Sequence, residues 1–123
     1  MSPLTRRHFV HSAAALAVPM VFTGVASAAD PQRKLRVAQI GVGHAHATKL
    51  SVYRESNDYE VVGVAEADAT RRAAAENHAA FRDLPWLTAE QILNDESIEI
   101  VLVETTVDDL LTTAEQCIAA NKH

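Results

Sequence analysis

An apolar strand that runs straight into a glycine-rich turn limits what this chain can fold into more than any other feature. Residues 35–40 (Leu-Arg-Val-Ala-Gln-Ile) precede Gly41, Val42 and Gly43, and a second valine-rich segment ends on Glu66. Glycines let a backbone turn tightly and approach a pyrophosphate, and an acid that closes the second strand accepts hydrogen bonds from ribose hydroxyls. This order of strand, glycine turn and acid predicts a dinucleotide-binding βαβ unit.

The glycine turn is predicted to contact the pyrophosphate, although it departs from the G-x-G-x-x-G pattern at the third position. His46 stands there, where a small residue would let helix and strand pack closely. The alternative is a βα turn that uses glycine only for its permissive dihedral angles. The candidate cofactor-binding residues of this turn are Gly41, Val42, Gly43, His44, Ala45 and His46.

The two histidines of the turn are not expected to bind a metal. Residues two apart on a helix point to different faces, and the sequence offers no third ligand at a suitable spacing for His44 and His46. We interpret them as lining the cofactor cleft or as packing at the start of the helix.

Glu66 is the predicted ribose ligand, because an acid at the end of a buried strand is costly without a partner. Its negative charge would repel a 2′-phosphate and therefore favours NAD over NADP. Arg71 and Arg72 weaken this preference, since a nearby arginine can accept that phosphate. Their alternative role is a solvated helix face.

The first 29 residues have the pattern of an export signal. Residues 5–10 (Thr-Arg-Arg-His-Phe-Val) place paired arginines ahead of an apolar stretch, and residues 26–28 (Ala-Ser-Ala) form a cleavage site. This predicts a twin-arginine signal at 1–29, export in folded form to the periplasm, and a mature domain at 30–123. The alternative is a membrane anchor, since the uncharged run at 9–29 is just long enough to span a bilayer.

The charge of residues 30–123 excludes several classes of partner. Nine basic against sixteen acidic residues give this part a net charge of −7, and no basic run is present. Nucleic acid binding is therefore not expected, nor is stable membrane insertion after removal of the signal. The single cysteine, Cys117, excludes an intrachain disulfide and is interpreted as a buried structural thiol.

Hydrophobic periodicity predicts an α/β fold with a parallel sheet built from four β-α units. Thr88 and Gln91 form a capping-box pattern, Asp108 is predicted to cap the last helix, and Asn121 to end it. Strands are predicted at 35–40, 60–66, 84–87 and 99–104, and helices at about 44–56, 68–80, 88–95 and 107–120. The last helix is predicted to carry one apolar stripe, made of Val107, Leu110, Leu111, Ala114, Cys117 and Ile118.

Residues 34–123 resemble the nucleotide-binding part of the Gfo/Idh/MocA oxidoreductases, the relatives of glucose–fructose oxidoreductase and inositol dehydrogenase. The resemblance rests on residues 37–43 (Val-Ala-Gln-Ile-Gly-Val-Gly), 62–68 (Val-Gly-Val-Ala-Glu-Ala-Asp) and 119–123 (Ala-Ala-Asn-Lys-His). It implies a partial Rossmann-type sheet without the C-terminal substrate domain, and NAD, or alternatively NADP, as cofactor. It also implies that Thr105, which matches the family, and Thr106, which replaces its proline, lie at the cofactor.

The resemblance further implies that the intact protein is a homo-oligomer that acts on a sugar, a cyclitol or a similar polyol. The family's lysine motif would follow His123, so no catalytic residue is assigned and the chain alone is expected to be inactive. Four parallel strands would leave one side of the sheet uncovered, which predicts poor solubility or folding that depends on a partner.

Two other functions are considered. After the fourth strand Thr106, Val107 and Leu110 replace the family's proline, asparagine and histidine, which favours a non-catalytic or truncated nucleotide-binding or scaffold protein as the alternative. A methyltransferase is disfavoured, because Gln39 stands where those enzymes usually carry an acid.

Overall fold

The computed structural model describes residues 32–123, together with Ala17 and Pro19. The predicted signal at 1–29 therefore lies, apart from those two positions, outside the described residues. The elements are β1 (Leu35–Ile40), a 3₁₀ turn (Ala47–Lys49), α1 (Leu50–Glu55), β2 (Tyr59–Ala65), α2 (Ala69–Ala75), β3 (Trp86–Leu87), α3 (Ala89–Asn94), β4 (Ile100–Val103) and α4 (Val107–Ala119). No helix of the described part is both long and apolar enough to cross a membrane.

The four strands form one parallel sheet in the order β3-β2-β1-β4. The central strand β1 pairs with β2 on one side and with β4 on the other, so the order reverses next to β1. This confirms the predicted α/β fold with a partial Rossmann-type sheet. Ligands of such sheets bind at the carboxyl ends of the strands, at the point where the order reverses.

The sheet is buried on both faces, as expected for parallel strands covered by helices. On one face Ala38 and Ile40 of β1 pack with Ile92 of α3 and Cys117 of α4. The other face holds a second cluster, whose buried members are Ala47, Leu50, Val64, Ala75, Ala80 and Phe81. Cys117 is thus a buried thiol, as predicted, and burial raises its pKa.

The first helix begins later than predicted. The turn continues through His44, Ala45 and His46, and a 3₁₀ turn precedes α1, which starts only at Leu50. The reason is local competition for hydrogen bonds: the backbone N–H of His46 donates to the imidazole of His44 at 3.2 Å. A side chain that bonds a nearby backbone group in this way delays a regular helix.

The second helix ends earlier than predicted, at Ala75 rather than near Ala80. The chain then makes a series of turns, in which the Arg54 guanidinium donates to the carbonyls of Ala79 and Ala80 at 3.0 Å each. Asp83 has a φ of 65°, which completes the change of direction before β3. A cationic side chain from α1 therefore satisfies two carbonyls of this irregular segment.

The C-terminus of α4 is closed by a Schellman motif, which confirms Asn121 as its stop. Asn121 has a φ of 56° and donates its N–H to the carbonyl of Ile118 at 3.0 Å, while Lys122 donates its N–H to Cys117 at 2.9 Å. The chain then turns back to the free edge of β4, where the N–H of His123 donates to Glu99 at 2.9 Å.

The apolar stripe of α4 is only partly buried. Cys117 lies in the core, but Val107, Leu111 and Ile118 remain 76%, 68% and 71% exposed. The helix covers β4, which is the outermost strand, so the far side of the stripe has no described element to pack against. The exposed apolar surface thus lies on α4, whereas both faces of the sheet hold buried clusters.

Candidate functional site

The carboxyl ends of β1, β2 and β4 bring the predicted site residues to one edge of the sheet. A cleft of about 570 Å³ opens there between the turn after β1, the start of α2 and the first turns of α4. Its walls include Gly41, Glu66, Arg71, Thr88, Thr105 and Thr106. The cleft lies where the strand order reverses, which is the position that the fold favours for a ligand.

Position 41 requires a glycine because of both its packing and its backbone dihedral angles. Its φ is +93°, and a Cβ at this position would lie 2.5 Å from the backbone nitrogen of Thr105 and 2.7 Å from the carbonyl oxygen of Glu104. The N–H of Gly41 donates to the carbonyl of Ala65 at 2.7 Å. The turn after β1 is therefore held against the ends of both neighbouring strands.

Gly43 has a weaker structural requirement. A Cβ there would meet the methyl group of Thr106 at 3.1 Å and the Cδ of Arg71 at 3.5 Å, both on side chains that can shift. Gly43 and Ala45 are exposed, and their N–H groups have no acceptor among the described residues. Neither residue lines the cleft itself, but both lie on the turn that begins at Gly41 on its wall.

The carboxylate of Glu66 is held by backbone and guanidinium donors. Its side chain is only 6% exposed. One oxygen accepts from the N–H of Val42 at 3.0 Å, and the other accepts from the N–H of Asp68 at 2.9 Å and lies 3.5 Å from Arg71 Nε. Charge-assisted hydrogen bonds of this kind compensate for the burial of a carboxylate.

The two arginines of α2 differ in their surroundings. Both line the cleft. Arg71 lies between Glu66 and Asp68, whereas Arg72 pairs with Glu76 at 3.0 Å and lies 5.3 Å from the centre of the Trp86 ring. Arg71 is therefore better placed to meet a phosphate. Arg72 mainly covers the edge strand.

Asp68 begins α2 as its N-cap. Its side chain accepts from the N–H of Arg71 at 2.8 Å. This hydrogen bond is the main reason why the pKa of Asp68 lies below its usual range.

The loop after β4 supplies the wall opposite Glu66. Thr105 and Thr106 are half-buried, and Thr106 is the N-cap of α4, its hydroxyl lying 3.2 Å from a carboxylate oxygen of Asp109. The prediction that Asp108 caps this helix is wrong. Asp108 and Asp109 occupy the first turn, where their charge favours the positive end of the helix dipole.

His44 joins the turn after β1 to the end of β4. Its backbone N–H donates to the carbonyl of Glu104 at 3.0 Å, and its Nδ1 lies 3.1 Å from a carboxylate oxygen of the same residue. The ring of His46 packs edge-on against that of His44, with centroids 5.0 Å apart. No group of three or more potential metal ligands occurs among the described residues.

Sequence reasoning did not identify the role of Gln39. Its side chain is fully buried in β1 and donates from Nε2 to the carbonyl of Gly41 at 2.9 Å, while Oε1 has no partner in the described part of the chain. A polar residue inside an otherwise apolar strand, two positions before the glycine turn, was the available signal. Gln39 holds the carbonyl side of that turn in place.

Most of the sequence matches a known protein family. Residues 35–123 match the model of the Gfo/Idh/MocA group, described as an oxidoreductase family with an NAD-binding Rossmann fold. No curated protein matches the chain significantly.

Solved structures show the same fold. A protein of Erwinia carotovora atroseptica is 29% identical with a TM-score of 0.63, and the match covers 72% of this chain and 26% of that one. A scyllo-inositol dehydrogenase from Lactobacillus casei, solved with NAD(H) and scyllo-inositol, is 11% identical with a TM-score of 0.56 over 74% of this chain and 27% of that one. A 3-ketoreductase variant from Actinomadura kijaniata, solved with TDP-benzene and NADP, is 18% identical with a TM-score of 0.59 over 74% and 29%.

The present chain thus spans about a quarter of the length of the solved proteins that it matches.

Proposed function

Because the chain belongs to the Gfo/Idh/MocA family of oxidoreductases, we propose that residues 30–123 bind NAD(P) in the cleft at the carboxyl edge of the sheet. The observation that carries this proposal is the joint position of Gly41, the first residue of the glycine turn, with Glu66 and Thr105 around one cleft. The family match makes a methyltransferase the weakest of the alternatives.

In this proposal the pyrophosphate lies over residues 41–46. The N–H groups of Gly43 and Ala45, which have no acceptor among the described residues, are donors for its oxygens, and Gly41 lets the turn lie against the end of β4. Val42 is half-buried and its own N–H is engaged by Glu66, so Val42 positions the turn rather than binding the anion.

Glu66 is the proposed partner of the adenosine ribose, and NAD is the proposed cofactor. Its carboxylate already accepts two backbone hydrogen bonds and pairs with Arg71, and its remaining lone pairs can accept from ribose hydroxyls. A 2′-phosphate would meet this negative charge, but Arg71 could turn from Glu66 toward it. NADP is therefore the alternative cofactor, and relatives solved with NAD(H) and with NADP are both known.

Thr105 and Thr106 are the proposed contacts on the opposite wall of the cleft. Both are half-buried and line the cleft with their neighbours at the start of α4. Their hydroxyl groups can donate to or accept from a bound nucleotide.

The whole protein is proposed to be an exported oxidoreductase that acts on a sugar, a cyclitol or a similar polyol as a homo-oligomer. A bound nicotinamide would accept or supply the hydride, and this part of the chain would bind and orient it. No catalytic residue is assigned within the 123 residues, so the chain alone is proposed to be inactive. Export to the periplasm by the twin-arginine route is supported by residues 5–10, and that route suits an enzyme that folds around its cofactor before transport.

The first test is a calorimetric titration of the 123-residue chain with NAD and with NADP. The proposal expects saturable binding with tighter binding of NAD, and weaker NAD binding for Glu66→Gln. Glu60→Gln is the matched control, since Glu60 lies on the same strand but forms a surface pair with Arg36. Absence of binding to both nucleotides by a folded chain would contradict the proposal.

The second candidate is a non-catalytic nucleotide-binding or scaffold protein of the same family. Thr106, Val107 and Leu110 stand where the family commonly has proline, asparagine and histidine, and this is the observation that favours it. Nucleotide binding without substrate turnover by the longest natural form of the protein would support this candidate over the oxidoreductase.

A further inference from the structure

The Nδ1 atom of His44 has two neighbours that require opposite protonation states. The backbone N–H of His46 points at it from 3.2 Å, which needs a lone pair on Nδ1. A carboxylate oxygen of Glu104 lies 3.1 Å from the same atom, which needs a proton on Nδ1. The two interactions cannot both be hydrogen bonds at one time.

Each protonation state has a distinct effect on the turn. With a lone pair on Nδ1, His44 engages the N–H of His46 and leaves the negative charge of Glu104 without a donor from the ring. With a proton on Nδ1, His44 donates to Glu104, and the N–H of His46 becomes free. The imidazolium form also places a positive charge on the turn.

We infer that dinucleotide binding at this turn takes up a proton on His44. This inference rests on the proposed function, because the anion concerned is the pyrophosphate of the bound nucleotide. Protonation adds the N–H of His46 to the free donors of Gly43 and Ala45, and it neutralises Glu104 beside the cleft. An anion at the turn and a proton on His44 therefore favour each other, and the linkage is reciprocal.

The surroundings of His44 single out Glu104 as its charged partner. Glu104 reaches it from the end of β4, the ring of His46 contacts it within its own turn, and Arg71 of α2 reaches the same turn beside Gly43. Glu66 also touches the turn, but its oxygens are engaged by backbone N–H groups and by Arg71. His44 and Glu104 are both partly buried, with side chains 27% and 20% exposed, so solvent only partly screens their interaction.

The sign of the pH dependence follows from this linkage. If the complex holds more protons than the free chain, affinity for the nucleotide increases as the pH falls. The limit for one linked proton is about a tenfold change in affinity per pH unit.

The test is calorimetry of the 123-residue chain with NAD, and with ADP as the simpler diphosphate, in PIPES, HEPES and Tris buffers at one pH, because phosphate buffer would compete for the turn. These buffers differ in ionisation enthalpy. The slope of the observed binding enthalpy against the ionisation enthalpy of the buffer therefore gives the number of protons taken up. We expect a positive number, up to about one, for the natural chain and almost none for His44→Asn. Glu104→Gln should also reduce the uptake, since a carboxamide can donate to the neutral ring.

His78 provides the matched control. Its Nδ1 accepts the N–H of Ala80 at 3.1 Å, as the Nδ1 of His44 does for His46, but no carboxylate pairs with it among the described residues. His78→Asn should therefore keep the proton uptake of the natural chain.

The outcomes separate the two proposals. If a folded chain binds neither nucleotide, the proposed function fails and this inference fails with it. If binding occurs without proton uptake, or if His44→Asn retains both binding and uptake, only this inference is overturned. If His44→Asn does not fold, Glu104→Gln serves as the test. Proton uptake equal to that of the natural chain in Glu104→Gln would contradict the proposed pairing of His44 with Glu104.

Discussion

The carboxylate of Glu66 accepts a hydrogen bond from the backbone N–H of Val42 at 3.0 Å, across the gap between the ends of β2 and β1. This contact makes the predicted ribose ligand part of the scaffold that shapes the predicted pyrophosphate turn. Glu66 is therefore expected to affect both the stability of the fold and the binding of a nucleotide.

Replacement of Glu66 by alanine should lower the free energy of unfolding by about 1–3 kcal/mol, because the N–H groups of Val42 and Asp68 lose their acceptor. Glu66→Gln keeps an acceptor and should cost less. The measurement is urea unfolding followed by circular dichroism, with Glu60→Gln as the surface control. Equal stabilities for Glu66→Ala and the control would show that the carboxylate serves the ligand alone.

The two glycines of the turn should respond differently to alanine. Gly41→Ala combines a positive φ with a backbone clash at 2.5 Å, so we expect a loss of at least about 2 kcal/mol in the free energy of unfolding. Gly43→Ala meets the methyl group of Thr106 at 3.1 Å and its backbone nitrogen at an ordinary contact distance of 3.4 Å, and should cost clearly less. Thermal unfolding of the two variants compares them directly, and a similar loss at both positions would contradict the described packing.

Lys122 should stabilise the fold through its buried ammonium group. The group donates to the carbonyls of Asp95 at 2.6 Å and Ile98 at 3.0 Å, which follow the end of α3. Lys122→Met keeps most of the apolar stem but removes both donors, so we expect a loss of about 2 kcal/mol. Lys49→Met, at an exposed position, is the control, and an equally small effect of both changes would count against this role.

Acid should weaken the fold partly through Glu99. A hydrogen bond from the Arg33 guanidinium, and next the N–H of Arg36, hold the pKa of Glu99 below its usual range. The resulting stabilisation is present above about pH 4.5 and is lost as the pH falls through the lowered folded pKa.

Glu99→Gln should therefore flatten the dependence of unfolding free energy on pH below about 4.5, and the difference should shrink in high salt, because Arg33 is 63% exposed. Urea unfolding at several pH values measures the free energy of unfolding of the natural chain and of Glu99→Gln, with Glu115→Gln as the exposed control. A pH profile identical to that of the natural chain would refute the assigned role of Glu99.

Much of the fold could be predicted from the sequence because burial leaves a direct trace in it. The apolar strands around Ala38 and Val64, separated by helical segments, specify a parallel sheet, and the glycine turn identifies the first strand. The capping box of Thr88 and Gln91 is present as predicted. These features depend on short-range patterns, which a single sequence displays.

The remaining features depend on contacts between distant segments. The backbone N–H of His44 donates to the carbonyl of Glu104, which joins residues 60 positions apart. A Cβ at Gly63 would crowd the Leu87 side chain of β3 at 2.6 Å and the Pro85 carbonyl just before that strand at 3.1 Å, which a valine-rich strand pattern does not reveal. Local propensity cannot indicate which distant group will occupy a turn or crowd a strand.

The exposed side of α4 should make the chain self-associate. Val107, Leu111 and Ile118 form a contiguous apolar surface next to the outermost strand, and such a surface favours association in water. Sedimentation velocity of the 123-residue chain should show a concentration-dependent dimer or larger species, and the double change Leu111→Lys and Ile118→Lys should shift it to monomer. Val52→Lys, at a residue of α1 that is 64% exposed, should leave the association unchanged. A natural chain that stays monomeric and melts cooperatively across the concentration range would contradict this expectation, whereas a shift to monomer in the Val52 control as well would place the contact surface elsewhere.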